Sequence, residues 1–255
     1  MKLGNWRNKN MVNQIEKEIV VVSDGHIGSK THQDAFLDFA IDYINEGEDR
    51  FWIYVGDGTE NNLLNSAGSP FEQTLTPRQQ KRVFIRKFTP IKDKCLAFNT
   101  HSNHPVRTER LADINPDEAL ADAMGMPYTL PVDELQINVG DRTYDLIHAH
   151  GATGSTTMGG KMNAIEKYAT HYDGDIFVMA HVHTMMQYPK WKVRHNKYRE
   201  IFFNIGGSFL DFFNSYGQKK NYSPTPAQFG SLILTEHDKI DFKRFYCLDP
   251  VINYD

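Results

Sequence analysis

At 255 residues with 40% hydrophobic content, the chain can bury a large core, and it is long for one domain and short for two. A formal net charge of −4 excludes wholesale coating of nucleic acid, though not a local basic groove. Cys95 and Cys247, far apart, exclude a disulfide framework and fit a reducing compartment.

Residues 1–17 form a polar lead-in without the apolar segment of a signal peptide, and no later stretch approaches the ~18 apolar residues that span a bilayer. The expectation is a cytoplasmic protein without membrane partners, its single domain running from 18 to 255. Ile19-Val20-Val21-Val22 predicts a strand buried on both faces, stopped by Ser23-Asp24-Gly25-His26. Asp34 to Ile44 carries a helical apolar stripe, and Phe51 to Val55 is a second buried strand running into Gly56-Asp57-Gly58. Strand, polar loop, helix, strand, polar loop is α/β logic, in which sites gather beyond the carboxyl ends of strands. Asn61 to Pro77 reads as a loop-rich excursion, followed by a basic helix over Arg78 to Phe88. Cys95 to Phe98 is a short strand ahead of Ser102-Asn103-His104-Pro105. Asn115-Pro116 starts a helix that Gly125 ends. Leu135 to Val139 and Tyr144 to Ala149 form a hairpin about Gly140-Asp141, and its second arm delivers His148-Ala149-His150-Gly151. A helix over Ala164 to Tyr172 and a strand over Ile176 to Met179 lead to Ala180-His181-Val182-His183. A β-rich stretch closes the chain from Met185 to Phe245.

Five polar clusters thus sit at the ends of apolar runs. They offer carboxylate, amide and imidazole but no thiolate, a donor set for Mn²⁺, Fe²⁺ or Zn²⁺ in a dinuclear centre and not for an all-cysteine zinc site. Each has an ordinary reading taken alone. A histidine can cap a strand end, Asp57 can be a turn residue, and Asn103-His104 can be a turn before Pro105, with Asn99 and His101 as rivals just upstream. Jointly, and in this order, they favour ligation.

The order Asp24-x-His26, Gly56-Asp57, Asn103-His104, His148 or His150, and His181-x-His183 resembles the calcineurin-like metallophosphoesterase superfamily, in its bacterial and phage-type members. Asn204-Ile205-Gly206-Gly207-Ser208 is similar to a turn that often follows in that family, so the resemblance covers roughly residues 19 to 208. It implies a four-layer αββα sandwich of two mixed β-sheets flanked by helices. It further implies two divalent metal ions, Mn²⁺ foremost, with Fe, Zn, Ni and Mg also suited. The implied ligands are Asp24, His26, Asp57, Asn103, His148 or His150, His181 and His183, with Asp57 shared between the ions. The implied reaction is hydrolysis of a phosphomonoester or phosphodiester by a water activated between the metals. His104 would protonate the leaving oxygen or steady the phosphoryl group, and Arg107 could add a charge-assisted contact, unless it is an ordinary surface charge. In the fourth motif the residue directly after the strand favours His148, which leaves His150 beside the substrate. Ser102 and Ala180 stand where the family has glycine, positions at which a positive φ would be costly.

Two other stretches invite function. Gly151 to Lys161 is rich in glycine, but Ser155 and Met162 stand where a nucleotide-binding loop requires Gly and Ser or Thr, so a loop bordering the site is the better account. Arg78, Lys81, Arg82, Arg86 and Lys87 read as a solvated helix face. Lys190, Lys192, Arg194, Lys197 and Arg199 surround Trp191 and Tyr198; they form either a plain hairpin exterior or a guide for a polyanion beside the site. The substrate is accordingly a nucleotide or other small ester or, if the enzyme is a nuclease of the DNA-repair exonuclease type, nucleic acid. A non-catalytic, metal-stabilised binding scaffold is the rival from another class.

Overall fold

The computed structural model describes residues 15–64, 66, 68–219 and 222–248, so most of the polar lead-in lies outside the described residues. In chain order its strands and helices are β1 (Glu16–Val22), α1 (Asp34–Glu46), β2 (Arg50–Tyr54), α2 (Pro77–Phe88), β3 (Cys95–Asn99), α3 (Asn103–Ala112), α4 (Pro116–Met124) and β4 (Tyr128–Thr129). There follow β5 (Val132–Val139), β6 (Arg142–Ala149), α5 (Met158–Glu166), α6 (Tyr168–His171), β7 (Ile176–Met179), β8 (Met186–Arg194), β9 (Lys197–Ile205), α7 (Tyr216–Lys219), β10 (Ala227–Thr235) and β11 (Ile240–Cys247). Two mixed sheets result, one ordered β11-β10-β1-β2-β3-β4 and the other β5-β6-β7-β9-β8.

Alternation of side chains along each strand explains why both sheets are covered twice. In β1, Ile19 and Val21 face the second sheet, where they meet Val139, Leu146, Ile176 and Val178. Val20 and Val22 face outward onto the stripe Leu37, Ala40, Ile41 and Ile44 of α1 and onto Phe84 and Phe88 of α2. Ile147, Phe177 and Phe203 point away from the sheet interface and pack against Ile165 of α5. Helices, sheet, sheet and helices are therefore the four layers, as the resemblance implies. Parallel strands β1, β2, β3 and β4 end on one side, and so do parallel strands β6, β7 and β9 of the other sheet.

Local signals set most boundaries. Thr76 and Gln79 close a reciprocal capping box on α2. The Asn115 side chain accepts from the amides of Asp117 and Glu118 to start α4, and Gly125 ends it at φ +68°. One expectation, the start of α5, needs correction, and two stretches left open take a definite form. A helix, α3, begins at Asn103 itself, with Pro105 in its first turn. The helix expected from Ala164 begins six residues earlier, at Met158, because the Thr157 side chain accepts from Gly160 N–H and outweighs the poor propensity of Gly159 and Gly160. Lastly, the basic hairpin β8–β9 is antiparallel and leaves the site rather than flanking it. Trp191 lies five residues beyond Met186, roughly 17 Å along the strand.

Candidate metal centre

Loops at the ends of β1, β2, β3, β6 and β7 converge because the parallel pairing continues past the strands. Asp24 N–H donates to Gly56 O at 3.0 Å, His26 N–H to Asp57 O at 3.0 Å, and Ala180 N–H to His150 O at 3.1 Å. Such continuation demands unusual backbone. Asp24, His26, Asp57, His181 and His183 all have positive φ, between 45° and 73°. Non-glycine residues there cost about 1–3 kcal/mol each, strain that persists only where surroundings over-determine it. Ser102, by contrast, sits at φ −84°, so the replaced glycine carries no penalty. Its hydroxyl accepts the Asp57 N–H at 2.9 Å. Gly56, at φ +97°, has no room for a side chain, since a Cβ would stand 2.5 Å from Ser102 and 2.8 Å from His150 Nδ1.

Two groups of donor atoms face one another across this pocket. In the first, His183 Nε2 lies 3.2 Å from Asp24 Oδ1 and 3.3 Å from His26 Nε2. Asp24 Oδ1 is buried and makes no hydrogen bond. In the second, Asp57 Oδ2 lies 3.1 Å from His150 Nε2, and the Asn103 side chain lies 3.1 Å from both His150 Nε2 and His181 Nδ1. With its oxygen turned inward, Asn103 brings a fourth lone pair onto Asp57 Oδ2 and the two imidazoles. With its nitrogen inward, its two N–H protons have these three acceptors within reach, Asp57 nearest at 2.7 Å, and its oxygen accepts from Arg107 Nη2 at 3.2 Å. With the imidazoles neutral, the inward oxygen leaves lone pairs facing lone pairs, which a cation reconciles in place of the proton that His150 otherwise holds; an orphaned Asp24 oxygen and a set of oxygen and imidazole donors fit divalent metal. Asp24, His26 and His183 form one such group of ligand atoms, Asp57, His150 and His181 another, and His26, Glu60 and His104 a third, in which the Nδ1 atoms of His26 and His104 are already engaged by Glu60.

Charge is balanced within the pocket. Burial alone would raise the Asp57 carboxyl, but His150, His104 and His26 hold it well below the usual range. Burial likewise opposes ionisation of Asp24, and His183 reverses it. His150 is disfavoured as a cation by burial, yet Asp57 pulls it up to about 9. His104 is pushed down to about 4, chiefly by burial. Its Nδ1–H is held by Glu60 O, its N–H donates to Asp57 Oδ1 at 3.1 Å, and its Nε2 stands 4.0 Å from Asp57 Oδ2.

The structure therefore gathers Asp24, His26, Asp57, Asn103, His104, His150, His181 and His183. It does not bring in His148. That side chain is fully buried on the inter-sheet face, neither ring nitrogen has a partner, and burial lowers it to about 4 with only Asp133 opposing. β6 ends at Ala149, Gly151 at φ +91° turns the chain just after His150, and His150 Nδ1 is fixed by Val55 O at 2.7 Å. Asn99 is buried against the carbonyls of Leu130 and Pro131, and His101 turns to Thr100. Arg107, one turn along α3, donates through Nε to Asn103 O at 3.1 Å. Sequence reading missed Glu60, whose carboxylate holds His26 Nδ1 at 2.9 Å, although its place three residues after Asp57 was a signal. Such a carboxylate fixes the ring's tautomer and leaves Nε2 for the pocket.

On the hairpin, Lys190 pairs with Glu166, Arg199 pairs with Asp173 and Asp175, and Lys192 donates to Ala169 O. Among the described residues, no helix is long and apolar enough to cross a membrane.

No protein-family profile matches the sequence, and no curated protein matches it. Solved structures similar to the chain include the calcineurin-like phosphoesterase YfkN from Bacillus subtilis, 11% identical over 91% of this chain and 90% of that one, at a TM-score of 0.46. Protein TM1076 from Thermotoga maritima is 13% identical over 91% of this chain and 99% of its own, at 0.41. A hypothetical protein from Thermus thermophilus is 9% identical over 90% of this chain and 99% of its own, at 0.38.

Proposed function

We propose that this chain is a divalent-metal-dependent hydrolase of phosphoester bonds. One observation carries the reading: two buried carboxylates, an amide and four imidazoles from separate loops aim their lone pairs into one pocket. Asp24, His26 and His183 would hold one cation and Asn103, His150 and His181 a second, with Asp57 between them. Bound cations supply Lewis acidity at phosphorus and lower the pKa of water.

The chain's own residues then have separate tasks. Asp57, kept ionised, offsets the repulsion of two like charges. Glu60 orients His26. His104 is tethered through Nδ1, so its Nε2 points toward the pocket, where it can contact a phosphoryl or leaving oxygen and, once it has taken up a proton beside the bound phosphate, pass that proton to the leaving oxygen. Arg107, beside Asn103, can add a charge-assisted bond to a phosphate oxygen. A small phosphoester is favoured over nucleic acid because the basic hairpin runs away from the pocket and two of its cations, Lys190 and Arg199, are paired with carboxylates.

A Mn²⁺-supplemented screen of p-nitrophenyl phosphate, its bis ester, nucleotides and DNA tests this, run beside Asp57→Asn and EDTA-treated protein. Turnover of a small ester that barely changes with salt, and disappears in both controls, is expected. Full activity in either control overturns the mechanism. Activity confined to DNA and falling steeply with salt would instead mark a nuclease. Tight Mn²⁺ binding without turnover of any ester would mark a metal-stabilised scaffold.

A further inference from the structure

The Gly-rich stretch after the fourth motif ends in a lysine that has no place in the roles assigned so far. Lys161, on α5, is 5% exposed, and among the described residues no carboxylate lies within 4.0 Å of its Nζ. Its ammonium donates to Thr184 Oγ1 at 2.7 Å and reaches Val182 O at 3.5 Å. Thr184 Oγ1 in turn lies 3.2 Å from Val182 O. A hydroxyl has one proton, so accepting from Lys161 leaves that proton for Val182 O.

These contacts border the loop that carries His181 and His183. His181 and His183 stand at φ +73° and +52°, with Val182 between them. His181 N–H is taken by Asp24 Oδ2 at 3.1 Å, and His183 O accepts from Thr225 Oγ1 at 3.1 Å. Val182 O is held from the α5 side, by Lys161 and Thr184 together. A left-handed backbone on two histidines separated by one residue must be held from every side.

We infer that Lys161 is a positioning residue, which clasps the Val182 carbonyl and the Thr184 hydroxyl so that His181 and His183 keep their aim into the pocket. Packing does not require an ammonium there. A buried cation without a counter-ion is costly, and a methionine of similar volume would fill the same space. The inference rests on reading His181 and His183 as cation ligands.

The test compares Lys161→Met and Lys161→Arg with the parent chain. In metal-free Lys161→Met, the backbone and imidazole resonances of His181 and His183 should shift, while those of Asp24 and His150 stay in place. Its unfolding midpoint should be unchanged or higher. With saturating Mn²⁺, kcat should fall by about ten-fold, the lower end for a residue that orients a ligand, with KM changed less than two-fold. Lys161→Arg, whose guanidinium can reach the same acceptors, should recover most of both effects. Unshifted His181 and His183 resonances, a loss confined to KM, or a midpoint that drops with resonances shifting throughout the molecule would each overturn the inference. The resonances are read without metal or substrate, so a chain that hydrolyses no phosphoester would fail the proposed function while this readout still decides the role of Lys161.

Discussion

Asp57 stays ionised although it is almost fully buried, because imidazoles on three sides outweigh the cost of desolvation. The same crowding makes individual side chains separable by experiment. His104 contributes no ligand atom to the Asn103 group and is held by a backbone carbonyl, so His104→Ala should leave metal content intact. Turnover should drop by the roughly 10²–10⁴ typical of a proton-transfer group, checked by steady-state kinetics beside elemental analysis. Glu60→Gln keeps the shape but replaces the charged acceptor on His26 Nδ1 with an amide. Metal affinity measured by calorimetry should weaken by about 10–100-fold, with little change in the metal-free fold. Unaltered affinity would mean that the His26 ring is held by packing alone.

Secondary-structure elements carry the site through hydrogen bonds that sequence patterns do not advertise. The Tyr54 hydroxyl at the end of β2 donates to Asp117 Oδ2 of α4 at 2.9 Å and accepts from Gly58 N–H at 2.6 Å, tying α4 to the Asp57 turn. Asp117 is fully buried, and desolvation pushes its carboxyl up to about 7, against an ordinary value of 3.8. Between those values the folded chain binds one proton more than the unfolded chain. This group's contribution to stability is therefore complete below about pH 4 and is lost as pH rises through 7. Asp117→Asn keeps an acceptor for Tyr54 and cannot ionise. Its stability relative to the parent should climb from pH 4 to pH 7 and then level off, as read from urea midpoints at fixed steps of pH. A difference independent of pH would show that Asp117 ionises freely in the folded chain. The same scale explains the misplaced start of α5. Periodicity pointed to Ala164 because the apolar stripe begins there, whereas the Thr157 cap and contacts with the 181–184 loop carry the helix back through two glycines.

For the molecule as a whole, joining loops from both sheets makes cation binding and folding one equilibrium. Divalent metal at 100 times its dissociation constant should stabilise the fold by about 2.7 kcal/mol per site, raising the unfolding midpoint on Mn²⁺ titration. EDTA should reverse the rise, and Asp57→Asn should abolish most of it; equal midpoints with and without metal would place the donor groups too far apart to share an ion. Convergence also demands close approach between the layers. A Cβ on Gly207 would stand 2.0 Å from Gln228 O, so only glycine lets the loop after β9 fold over β10.

By itself, the order of residues determined the alternation of buried strands and helices, the mixed α/β class, and which polar clusters sit at strand ends. All of these follow from local periodicity and turn chemistry, which act over a few residues. Most of the candidate pocket was legible for the same reason, because parallel strands present their carboxyl ends together. Only the tertiary structure decided between His148 and His150. Alternation places His148 between the sheets, and His150, one step beyond the end of β6, reaches Val55 O and Asp57. The contacts of Glu60, Ser102 and Lys161 were likewise decided by the tertiary structure, since each acts on a residue distant in sequence. Contacts of that kind exist only once the two sheets have closed on each other.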